Sequence, residues 1–406
     1  MKTELKNRLN HINWDFGTRL VVNNDEVFPF NNRKYHSYPA TFIPEIPFTL
    51  IEILSSEGAV VMDPFGGVGT TLVQALIQKR IPISIDNNSV ASQITRDFFV
   101  LFNPLVDIKR SRDRISQVVR TYDENMDYGS SLSSFSRNLE PWYEKKTLNQ
   151  VAFLLKQYEE AKKSQGTPGV IELFHLCLSN LLTTVCSQNG GWAYIADNVR
   201  PKADKMKEKN AIERFLQNIN ICEKSIRNYK EKLGDSISFI YQWKKIDNVI
   251  CTDYAMADMS KMIESVDLII TSPPYPKMID YVKSQRLSFY MEEREFTSEL
   301  ATEIGARARR NQSNTICSYI DSMKKCNTQM VSSLKKGGYL CYVLPDFSKE
   351  KDRDRKEAVD EVLYNCISRG MKEEYRIKRC IPGTQRSNNI KWASLRQEQI
   401  IILEKL

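Results

Sequence analysis

Histidine is scarce in this chain, with three in 406 residues, and none of the nine cysteines forms a Cys-x-x-Cys pair. With so few nitrogen ligands and no paired thiolates, no metal site is expected. A disulfide framework is not expected either, because a chain this long can bury its own core. Cys177 and Cys341 lie in apolar runs, where a thiol behaves as a small core residue. No stretch reaches 18 consecutive apolar residues, so no membrane span is expected. The opening Met1-Lys2-Thr3-Glu4-Leu5-Lys6 lacks the apolar core of a secretory signal. A reducing cytoplasm is the expected setting. Also missing is any GxxxxGK[ST] phosphate loop, which disfavours ATP.

What is present is ordinary for a globular protein, with 41% hydrophobic and 27% charged residues. The net charge of +8 tilts mildly toward a polyanionic partner, though a solvated basic surface explains it as well. Residues 1–34 are polar and mixed and read as an N-terminal arm. From about residue 35 the pattern sharpens. A strand (Ala59–Met62), a Gly-rich loop, a helix (Thr70–Leu76) and a second strand (Ile81–Asp86) make one βαβ unit within residues 35–95. Residues 96–245 carry long helical patterns and read as a helical insertion. Within it, residues 200–232 hold ten Lys/Arg against five Asp/Glu. Strands resume at 248–253, 266–270, 338–344 and 398–403, all within residues 246–406. The predicted fold is α/β, a doubly wound and mostly parallel Rossmann-like sheet interrupted by a large helical insertion.

Two constellations carry chemistry. The first is Asp63-Pro64-Phe65-Gly66-Gly67-Val68-Gly69-Thr70-Thr71, between strand and helix. Its glycines let the backbone approach a ligand, and the helix start offers free N–H groups to a negative end such as a carboxylate. Asp86, followed by Asn87, ends the next strand, where an acid accepts hydrogen bonds from ribose hydroxyls. The third glycine of a dinucleotide fingerprint is missing. S-adenosylmethionine fits this pattern best, having a ribose, an adenine and an amino-acid carboxylate but no phosphate. Asp253, at the end of a third strand, is placed either to take an adenine amine or to serve as a turn acid.

The second constellation is Thr271-Ser272-Pro273-Pro274-Tyr275, after the run Val266–Ile270. Paired prolines end a strand abruptly, at the sheet edge where α/β proteins bind ligands. Such a corner suits a flat ring bearing an amine, stacked on Tyr275 with its NH2 held by Ser272 and a proline carbonyl. The plainer reading is a strand stop with Tyr275 packed in the core. Methylating an exocyclic amine needs no covalent nucleophile, whereas carbon methylation needs a cysteine, and none lies here.

Together these motifs resemble the amino-methyltransferases of DNA, the class that makes N4-methylcytosine or N6-methyladenine. Asp63–Thr71 resembles the cofactor loop of that family, Tyr38-Pro39-Ala40-Thr41-Phe42 the segment capping the methionine moiety, and Ser272–Tyr275 the catalytic tetrapeptide. The resemblance implies that Ser272 and the Pro273 carbonyl hold the amine, that Pro274 completes the corner, and that Tyr275 stacks on the base. Ser-Pro-Pro-Tyr usually goes with cytosine, so N4-cytosine transfer within a short double-stranded DNA sequence is expected, with N6-adenine transfer the alternative and RNA a weaker one. A modification role beside a separately encoded restriction endonuclease is also implied. The insertion departs from the family pattern and leaves the sequence-reading region open.

The target base has to be flipped out of its duplex to reach such a corner. Candidate phosphate contacts are Arg200 and Lys202 (with Lys205, Lys207 and Lys209), Arg307, Arg309 and Arg310 (before Asn311 and Gln312), and Arg379 with Arg386 near Asn388 and Asn389. Each cluster reads equally well as a solvated face. Trp192 and Tyr194 read as a stacking pair or as core, and Tyr281, Lys283 and Arg286 stand near the target pocket by position alone.

Overall fold

Val60, Val61 and Met62 belong to a strand with no polar side, and such strands are buried on both faces. In the computed structural model, which describes residues 3–16, 29–164, 167–188, 200–234, 247–347, 352–381 and 397–406, they lie at the middle of a sheet. Its strands are β1 (Val60–Asp63), β2 (Ile81–Asp86), β3 (Val249–Cys251), β4 (Val266–Thr271), β5 (Leu334–Pro345), β6 (Met371–Cys380) and β7 (Gln397–Lys405). They pair in the order β3-β2-β1-β4-β5-β7-β6. The first five run parallel, and β7 is antiparallel to both its neighbours. Alternate residues serve opposite faces, Met62, Ile269 and Tyr342 on one and Val61, Leu268 and Val343 on the other. The mostly parallel α/β fold predicted from the sequence is the fold observed.

Strand β6 was not anticipated. Met371-Lys372-Glu373-Glu374-Tyr375-Arg376-Ile377-Lys378-Arg379-Cys380 is charged because it forms a sheet edge, where charges discourage pairing with another chain. The alternation of Tyr375 and Ile377 was the available signal.

Helices α1 (Thr3–Asn10) and α2 (Glu45–Leu54) cover the sheet on the face of Val61 and Leu268. The α3 helix (Thr70–Ile77) follows the Gly-rich loop. After β2, α4 (Ser89–Leu101) is capped by Asn88, whose Oδ1 accepts from the Val90 and Ala91 amides. It packs on β2 and β3, so it belongs to the sheet's own helix layer and runs across the expected boundary at residue 96. The helices α5 (Ile108–Val119), α6 (Lys145–Lys163), α7 (Val170–Val185) and α8 (Ala211–Leu233) then build a second layer on α4. One apolar cluster runs from Leu72 and Phe98 through Leu154, Leu178 and Phe215 to Leu287 and Phe289. The helical layer therefore shares its core with α3 and α4, the helices that flank the sheet.

The parallel order reverses between β1 and β4, placing the loops after β1, β2, β3 and β4 around one crevice at the carboxyl edge.

Candidate active site

Asp63 ends β1 and ties three elements together. Its Oδ1 accepts from Thr271 Oγ1 at the end of β4 (2.7 Å) and from the Phe65 amide (3.1 Å), and its Oδ2 accepts from Thr71 Oγ1 on α3 (2.7 Å). Burial raises its carboxyl to about 6, against the pull of those donors. Asp86 ends β2, with Oδ2 accepting from the Gly67 amide and Oδ1 from the Asn88 amide, both at 2.8 Å. Desolvation lifts it to about 6 as well. Gly66 has no room for a side chain, because a Cβ there would stand 1.9 Å from Ser84 Oγ. At Gly67 φ is +51°, and a Cβ would press on the Tyr38 ring at 3.3 Å.

These residues wall a cleft of about 830 Å³ that includes its open mouth. Of the residues expected to hold the cofactor, Tyr38, Pro39, Ala40, Thr41, Phe42, Asp63, Phe65, Gly66, Gly67, Thr70, Asp86, Asn87 and Asp253 line it. Gly69 and Thr71 do not. Gly69 caps α3 at φ +78°, and Thr71 supports Asp63. Asp253 serves as a turn acid, its Oδ1 accepting from the Ala255 amide at 3.1 Å, and it faces the cleft too. At the corner, Ser272 and Pro274 line the cleft, while Pro273 and Tyr275 are buried beside it. Ser272 Oγ and the Tyr275 hydroxyl share a hydrogen bond of 3.0 Å.

One wall joins Tyr281, which its position in the sequence had placed near the pocket, to Val282, Thr302, Glu303 and Ile304, which sequence reasoning missed. The short helix Thr297–Thr302 is fastened over the cleft. Asn87 Nδ2 donates to the Glu299 carbonyl and to Thr302 Oγ1, and the Ser89 amide donates to Glu299 Oε2. The chain beyond it runs beside the segment after the corner, with the Lys277 amide donating to Gly305 O (2.9 Å) and the Arg307 amide to Ile279 O (3.1 Å). No local motif marks these residues, since they reach the cleft only through long-range folding.

Among the described residues, four carboxylates (Asp63, Asp86, Asp253 and Glu303) line the cleft, and no Lys, Arg or His does. They lie around the cleft without converging, and no group of described His, Cys, Asp or Glu side chains could hold a metal ion. A wall of this charge repels phosphates and suits a cationic ligand.

The basic candidates fare differently. Arg200, Lys202 and Arg310 are exposed, and Arg307 is half-buried. Lys209 caps α7, donating to the Thr184 and Cys186 carbonyls. The Arg309 guanidinium donates to the Leu300 and Ala301 carbonyls and closes the end of the helix Thr297–Thr302. Arg379 is buried, paired with Glu398 at 2.6 Å. Arg286 is buried and sits over the Trp142 ring, away from the cleft lining, whereas Tyr281 lines it. Trp192, Tyr194, Arg386, Asn388 and Asn389 lie outside the described residues.

A sheet of this order, with a Gly-rich loop after β1 and an acid after β2, defines the Rossmann-like methyltransferase class. Residues 9–97 match the family model of the N6/N4 DNA methylases, so this segment of the chain is similar to the DNA methylase family. That match spans Tyr38–Phe42, the loop, α3 and β2 and stops before the Ser-Pro-Pro-Tyr corner. No curated protein matches the chain.

Proposed function

We propose that the protein transfers a methyl group from S-adenosylmethionine to the N4 amine of a cytosine flipped out of double-stranded DNA, within a short recognition sequence. The observation that carries this reading is the cleft itself, walled by four carboxylates and opening beside Ser272 at the carboxyl edge of β1 and β4. The cofactor would supply an electrophilic methyl on a sulfonium cation. Asp86 would take the ribose hydroxyls, Asp253 the adenine amine, and the free N–H groups of α3 the amino-acid carboxylate.

The Ser272–Tyr275 pair supports the amine-holding role. With Ser272 donating to Tyr275, the serine lone pairs are left to accept from the target NH2, which points the nitrogen lone pair at the methyl group. The nitrogen gains the methyl and releases one proton through the hydrogen bonds of the corner. Burial, the largest influence on the Tyr275 phenol, raises its pKa and keeps it neutral in this role. Such an enzyme fits the modification half of a restriction–modification pair.

The test is to incubate the protein with the cofactor and DNA, digest to nucleosides and identify the product by mass spectrometry. N4-methylcytosine is the expected species. N6-methyladenine would move the target to the other base, and unmodified DNA with methylated RNA would replace the substrate.

A further inference from the structure

Glu303 is a cleft carboxylate to which the reading above gives no role and which, unlike Asp63, does not have both oxygens engaged by the chain. Its Oε1 accepts from the Tyr281 amide at 2.6 Å, while Oε2 is buried with no hydrogen-bond partner. The residue is 6% exposed and lines the cleft. A buried carboxylate oxygen left unpaired is costly, so it calls for a partner that arrives from outside the chain. The partner must come through the cleft, and one bearing positive charge offsets the cost best.

Position narrows the choice. Two residues on, the Gly305 carbonyl accepts from Lys277, just past the Ser-Pro-Pro-Tyr corner, and a Cβ on Gly305 would lie 3.3 Å from the Tyr275 carbonyl. The loop that carries Glu303 is thus tied to the segment leaving the corner at which the target amine would be held. We infer that Glu303 is the counter-ion for the positive charge of the methyl donor, and hence the residue by which the cleft prefers that cation to its neutral demethylated product. This rests on the proposed cofactor, whose sulfonium charge is lost when the methyl leaves.

The ionisation of Glu303 is consistent with that role. Burial is the largest influence and lifts the carboxyl to about 7, the Tyr281 and Val282 amides and the Arg309 charge oppose it, and Asp280 adds to the rise. Around it stand Tyr38, Tyr281, Asp280 and Arg309, with Asp86 and Glu299 further along the wall. A raised carboxyl is neutral below its pKa and charged above it. Preference for the cation therefore grows as pH rises through about 7.

The experiment is calorimetric titration of the whole chain and of Glu303→Gln with S-adenosylmethionine and with S-adenosylhomocysteine, between about pH 6 and 8. Glutamine keeps an oxygen for the Tyr281 amide. The variant is expected to lose about tenfold in affinity for the methyl donor and less than about threefold for the product. The rise of the donor-to-product preference with pH in the native chain should flatten in the variant. Equal losses for both ligands, or none for either, would overturn the inference. A native chain that binds neither ligand would instead bring down the cofactor assignment and this inference with it. Should the variant not fold, the native chain decides alone, and a preference independent of pH would overturn the role of Glu303.

Discussion

Asp63, Thr71 and Thr271 belong to β1, α3 and β4, yet they form one hydrogen-bonded knot that sets the loop against the corner. Ser272 is the next residue along, so its hydroxyl inherits its position from that knot. Ser272→Ala removes the proposed acceptor for the amine and leaves the knot intact. Its turnover should fall on the order of a hundredfold, while cofactor affinity by calorimetry stays within about threefold. Unchanged turnover would take Ser272 out of the reaction. Ser272 and Asp63 were readable from the motifs, because paired prolines after an apolar run and an acid before a Gly-rich loop have local physical causes. Glu303 was not readable, because nothing in Thr302-Glu303-Ile304 separates it from an ordinary surface acid.

At the scale of elements, the short helix Thr297–Thr302 is held through its second half, by Asn87 and Ser89 at Glu299 and Thr302 and by Arg309 at Leu300 and Ala301. As part of a basic triplet Arg309 resembled a phosphate contact, but the structure engages its guanidinium with backbone carbonyls. Arg309→Ala should therefore leave the salt dependence of DNA binding unaltered and loosen the helix, weakening cofactor binding several-fold. A phosphate contact would lower the slope of log K against log salt by about one instead. Filter binding across a salt series separates the two.

At the scale of the whole molecule, a buried triad adds to the apolar packing between α7 and α4. His175 on α7 bonds Asp97 on α4 at 2.5 Å and Glu292, beyond the Ser-Pro-Pro-Tyr corner, at 2.9 Å. Burial alone would lower its pKa, but the two carboxylates raise it to about 10, so it stays protonated at neutral pH. A group raised in the folded state stabilises fully below its unfolded pKa and loses that stabilisation as pH climbs through the folded value. The melting temperature should fall between about pH 6.5 and 10 from this group, which thermal scans across that range can follow. His175→Ala leaves Asp97 buried without its cation, while Glu292 keeps Arg294 at 2.9 Å, and should cost about 3 kcal/mol. A melting curve like that of the native chain would show that the layers do not depend on the triad.

Sequence by itself determined the strands that pass through the sheet centre, the turn chemistry of the Gly-rich loop and the proline corner, because apolar runs, φ > 0 and missing N–H groups act locally. Tertiary structure decided the charged edge strand β6, the use of Arg309 and Lys209 as caps, the joining of the helical layer to the helices that flank the sheet, and the arrival of Glu303 at the cleft. Each depends on partners far along the chain, and burial, which sets the cost of an unpaired charge, exists only once those partners have met.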